Sequence, residues 1–110
     1  MATRHAKSGE LIDLHPAVPL GDDSTSDTLV RSDHLEVFRL SLPAGKVLPP
    51  HAVPSFITVQ CLAGRVEFTA HGTTRTLTAG TMLFLDGGES HALRALEDSS
   101  ILVTLRVNRK

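Results

Sequence analysis

Tryptophan and tyrosine are absent from this chain, and aromatic residues make up only 4% of it. Its four phenylalanines must share the interior with Leu, Val, Ile and Met, which the 41% hydrophobic content supplies amply. A single cysteine, Cys61, excludes an intramolecular disulfide framework and suits a reducing compartment. Basic residues number eleven against twelve acidic ones, with no Lys/Arg run. No concentrated positive field is therefore available for nucleic acid, and nothing points to a membrane surface as partner. No apolar run approaches the roughly 18 residues of a membrane span. The stretch from Met1 to Leu20 scatters charges and two prolines where a secretory leader would be apolar. The expectation is a cytoplasmic protein, and 110 residues give room for one core.

What is present divides at about residue 28. Residues 1–27 are polar, with His15-Pro16, Val18-Pro19 and the run Gly21-Asp22-Asp23-Ser24-Thr25-Ser26-Asp27, and read as an extended arm and loop. Leu11-Ile12-Asp13-Leu14 is a candidate short strand within the arm. From 28 to 110, short apolar runs alternate with turn residues, and helical periodicity is missing. Leu35 to Leu42 places Phe38, Leu40 and Leu42 on one face. Lys46 to Val53, with Pro49, Pro50 and Pro54 close by, is extended but irregular. Ile57 to Leu62 is rich in β-branched residues. Val66 and Phe68 alternate with polar neighbours up to a His71-Gly72 hairpin turn. Thr81 to Leu85 is apolar on both faces and is expected to be buried on both. His91 to Leu96 and Ile101 to Val107 complete the series.

Two segments carry a recognisable spacing. Gly45, five residues, His51, one residue, Val53, three residues, Ile57, six residues and Gly64 form the first. Gly80, five residues, Asp86-Gly87-Gly88, two residues and His91 form the second. Together they resemble the paired motifs of the cupin superfamily over about Leu35 to Leu105, with Asp86 replacing the proline of the second motif. The glycines at 45, 64, 80 and 88 suit tight turns at strand ends. The resemblance implies an all-β jelly-roll barrel of two antiparallel sheets, preceded by the arm, with His51 and His91 projecting into one barrel mouth. In metal-binding cupins two His and a Glu of the first motif join the His of the second around one ion. Here Val53 stands at the second His position and Ile57 at the Glu position, so two of four expected ligands are present.

The residues predict a pocket lined by His51, Val53, Ile57, Val59, Cys61, Met82, Phe84 and His91 that holds a small molecule beside two histidines. The alternative is a metal-dependent enzyme of dioxygenase or isomerase type, with a labile Zn, Ni, Mn, Fe or Cu ion on His51 and His91. A third possibility is a structural or regulatory dimer with an inert barrel. The same pocket would also suit a small carboxylate if one imidazole were protonated. The apolar outer face implied by Thr81 to Leu85 and Leu62 predicts a homodimer. Cys61 reads as a small buried hydrophobe, Arg94 as a surface charge, Glu89 as a residue of the mouth loop, and His5, His15, His34 and His71 as surface residues.

Overall fold

Successive strand residues point to opposite faces, so a strand with apolar residues at every second position has one face that must leave water. Most strands of this chain meet that description. The structure, a computed structural model, describes residues 5–15 and 24–108. Among the described residues there is no helix. Nine strands follow one another: β1 (Thr25–Arg31), β2 (Leu35–Leu42), β3 (Val47–His51), β4 (Ile57–Ala63), β5 (Arg65–Ala70), β6 (Thr73–Thr78), β7 (Met82–Leu85), β8 (His91–Ala95) and β9 (Ser99–Arg106). They form a five-stranded sheet, β1-β2-β9-β4-β7, and a four-stranded sheet, β3-β8-β5-β6. All pairings are antiparallel. The sheets face each other as a jelly roll, joined by side-chain packing rather than by a closed ring of hydrogen bonds.

Register lines the inward residues up in rungs across the larger sheet. Phe38 pairs with Val103, Val103 with Val59, and Val59 with Leu83. One rung along, Leu40, Ile101 and Cys61 align. On the smaller sheet Val66 faces Ala95, and Phe68 faces Leu93. Leu42, Cys61, Val66, Phe68 and Ile101 are the largest side chains fully withdrawn from solvent. The hairpin at His71-Gly72 takes positive φ at both turn residues (53° and 70°), the backbone that a two-residue turn needs to match strand twist.

Several expectations shift. The first strand of the fold begins at Thr25, three residues inside the expected arm, and pairs with β2 from Thr25↔Ser41 onward. Residues 11–14 are not a strand. The arm crosses the outside of the larger sheet: Ala6 donates its N–H to the Leu29 carbonyl, and Arg39 Nη1 donates to the carbonyls of Asp13 and His15. The Pro16 to Asp23 part of the expected loop lies outside the described residues. The strand expected to be buried on both faces is buried on one only. Pairing with β4 turns Leu83 and Leu85 inward and leaves Met82 and Phe84 outside, 62% and 58% exposed. An all-apolar strand satisfies either register equally, so its sequence does not say which face will be wet.

Gly64 turns β4 into β5 with φ of +85°, and an added Cβ would run into Ser99 Oγ and the Asp98 carbonyl. The Ser99 hydroxyl cannot retreat freely, because it accepts from the Arg65 N–H at 3.1 Å and donates within the same turn. Gly64→Ala is expected to cost about 3 kcal/mol, combining left-handed strain with the clash. Urea unfolding followed by far-UV circular dichroism measures it.

Candidate functional site

Packing is complete at the Cys61 end of the sandwich and incomplete at the other. There the sheets enclose a cavity of about 230 Å3. The larger sheet contributes Phe38, Leu40, Ile57, Val59, Val103 and Leu105, and the smaller sheet Leu48, Phe68, His91 and Leu93; His51 and Val53 stand at the rim. Every wall is hydrocarbon except the two imidazoles. No Asp, Glu, Lys or Arg lines it among the described residues.

Pairing of β3 with β8 brings the histidines together. His51 is in register with His91, after an irregularity between Leu48 and His51 that spans Pro49 and Pro50. The ring centroids are 4.3 Å apart and the planes are inclined by 58°. His91 is buried, and its ring stacks on Phe68 at 5.5 Å with only 10° between the planes. His51 is exposed. His91 Nδ1 lies 3.1 Å from the Glu89 carbonyl, and His51 Nδ1 lies 3.3 Å from the Pro49 carbonyl. Glu89 also reaches back with its carboxylate, which accepts from the His71 N–H and lies 3.4 Å from His71 Nδ1. The mouth loop is thereby fastened to the β5–β6 hairpin.

The two motif segments are tied at the rim. Gly88 donates its N–H to the Val53 carbonyl at 2.8 Å, and Gly87 lies so close beneath the Pro54 carbonyl that a Cβ would collide with it.

Of the eight residues expected to form the pocket, His51, Val53, Ile57, Val59 and His91 line one cavity. Met82 and Phe84 do not, being on the outer face of β7. Cys61 shares the inward face of β4 but lies deeper, packed into the filled end, with its backbone clasped by the Thr81 carbonyl and the Gly80 N–H. Burial pushes its thiol above the usual range, despite an Sγ hydrogen bond to the Ala63 carbonyl at 3.4 Å. That environment makes it a poor nucleophile. Arg94 is at the surface, paired with Glu67 at 2.8 Å. The walls not anticipated from sequence are Phe38, Leu40, Leu48, Phe68, Leu93, Val103 and Leu105. Their alternation marks them as inward-facing, and only the packing of one sheet on the other shows that they border a void.

No protein-family model matches the sequence, and no curated protein does. Solved structures do match. An RmlC-like cupin from Desulfovibrio desulfuricans is 25% identical with a TM-score of 0.75, covering 93% of this chain and 97% of that one. KdgF from Halomonas sp. is 19% identical with a TM-score of 0.77, covering 94% and 97%. The DMSP lyase DddQ from Ruegeria pomeroyi is 30% identical with a TM-score of 0.71, over 76% of this chain and 46% of the lyase, so the match spans just under half of that longer chain. Likeness of this extent, joined to two antiparallel sheets in jelly-roll order, shows that the chain has the cupin fold. The interior of this jelly roll meets the outside at a pair of histidines.

The fold family implies a metal ion bound at this mouth. The residues present do not fit one. Val53 and Ile57 occupy the two remaining ligand positions and line the same cavity as the histidines, offering methyl groups where donors are needed. Among the described residues no group of three or more His, Cys, Asp or Glu side chains converges. Two neutral imidazoles bring no negative charge to offset a divalent ion in a hydrocarbon enclosure. Chelator-stripped protein titrated calorimetrically with Zn, Ni, Mn and Fe is expected to bind none tighter than about micromolar. Val53→His combined with Ile57→Glu is expected to gain at least about a hundredfold in affinity, by restoring four donors.

Proposed function

We propose that this cupin is a binding module which encloses a small, largely apolar molecule in the cavity beneath His51 and His91. The observation that carries this reading is a hydrocarbon-walled cavity of about 230 Å3 between the two sheets, with all its polar character gathered at His51 and His91. Interiors ordinarily close such spaces, because unfilled volume forfeits dispersion contacts. A void kept open beside two oriented polar groups has the form of a site that holds a ligand by burial and aligns it by hydrogen bonding. The metal-enzyme alternative has only His51 and His91 to draw on, and the titration above separates the two readings.

Benzene is a suitable probe, since apolar cavities of this order admit it. Its addition is expected to shift the methyl resonances of Val59, Leu93 and Val103, and an unchanged spectrum at saturation would remove the reading. Val53→Phe, made at a half-buried rim position, is expected to abolish the shifts while changing stability by less than about 1 kcal/mol.

We also propose that two copies pair through the outer face near β7. Phe56, Met82 and Phe84 are exposed there, the two phenyl rings 6.3 Å apart, and such a patch is uncommon on a monomer. Sedimentation at micromolar concentration is expected to show a dimer, converted to monomer by Phe84→Ser.

A further inference from the structure

Each of the two imidazoles has a backbone carbonyl beside its Nδ1, a contact that favours the tautomer with the proton on Nδ1 and bears on the chemistry of the occupant. A carbonyl oxygen has no proton to give, so a ring nitrogen held against one must carry the hydrogen. Nδ1 of His91 is so held by the Glu89 carbonyl at 3.1 Å, and Nδ1 of His51 by the Pro49 carbonyl at 3.3 Å. A neutral imidazole has a single N–H. In both rings the remaining nitrogen, Nε2, is therefore a bare lone pair. Both rings line the cavity with centroids 4.3 Å apart, and no Asp, Glu, Lys or Arg of the described residues lines it to alter the balance.

We infer that the occupant is a neutral hydroxyl compound, a monocyclic phenol or an alcohol of similar size, whose O–H donates to Nε2 of the pair. This rests on the binding reading of the same cavity and narrows it. A carboxylate brings only lone pairs to a place already supplied with two, whereas a hydroxyl brings the missing donor. A pure hydrocarbon fills the space and leaves the acceptors unanswered. Size agrees: a cavity of about 150 Å3 accommodates benzene, so 230 Å3 corresponds to roughly nine non-hydrogen atoms. The floor is aromatic and flat, because Phe68 lies parallel to His91 within 10° and is almost fully buried. Phe68 also borders the separate cleft at the β6–β7 seam, so it closes the cavity on that side and limits the length of what enters.

Three fluorinated probes of nearly equal shape separate the possibilities by 19F NMR titration: 4-fluorophenol, 4-fluorotoluene and 4-fluorobenzoate. Mildly alkaline pH, short of phenol ionisation, leaves the phenol protonated and the benzoate ionised. The wild-type protein is expected to bind the phenol about tenfold tighter than the toluene, the worth of one buried hydrogen bond, and the benzoate no tighter than the toluene. His91→Phe combined with His51→Phe is expected to erase the preference for the phenol while toluene binding persists. His51→Phe alone, at an exposed position, is expected to reduce it and serves if the double variant does not fold. Equal affinity for phenol and toluene would overturn the inference and leave the binding reading intact. So would a benzoate that binds tightest, since the pair would then be acting as a cation. Failure of all three probes to bind would overturn the binding reading itself.

Discussion

A buried imidazole has a ring N–H to satisfy, and an interior otherwise made of hydrocarbon offers it nothing but backbone. His91 meets this requirement through the Glu89 carbonyl, two residues earlier in the chain. Much of the rest of the site follows from that bond. It orients the ring that stacks on Phe68, and it favours one nitrogen as the proton carrier. His51 repeats the arrangement with Pro49, again two residues back, on a strand whose prolines interrupt regular pairing with β8. Both histidines thus turn Nδ1 towards a carbonyl two residues earlier, although only the buried His91 depends on it.

The larger architecture was readable because strand alternation and glycine spacing are local properties. Phe38, Leu40 and Leu42 alternate, as do Ile101, Val103 and Leu105, and both sets face inward. The His71-Gly72 turn fell where its dipeptide placed it. The departures Val53 and Ile57 from the metal-binding pattern were also visible, and both side chains lie on the cavity wall. Depth was not readable. Cys61 and Val59 belong to the same face of the same strand, yet one meets the filled end of the barrel and the other the hollow end. That difference is created by residues from the opposite sheet. The face taken by β7 was hidden for another reason: Met82, Leu83, Phe84 and Leu85 give no polar contrast for alternation to act on.

The outer surface of the larger sheet is managed unevenly. At the β1–β2 side the arm covers it, anchored where Arg39 grips the carbonyls of Asp13 and His15. The Asp13 carboxyl there is held below its ordinary range, first by the His15 backbone N–H and then by the His15 ring. At the β7 side no such cover reaches Met82 and Phe84 among the described residues. One sheet therefore presents a clothed half and a bare aromatic half, and the bare half lies on the strand that pairs with β4 alone.

The hydrogen bond from Gly88 to Val53 joins the two motif segments into one continuous rim. A rim braced in this way does not open by swinging a loop aside. The movable part is the exposed His51 side chain, together with Val53 beside it. For a molecule held as proposed above, passage in and out would turn on rotamer hops, which take picoseconds to nanoseconds at exposed positions, and not on the microsecond-to-millisecond closures of lidded sites. On the binding reading proposed above, such a container would exchange its contents quickly and hold them only as firmly as burial and one hydrogen bond allow.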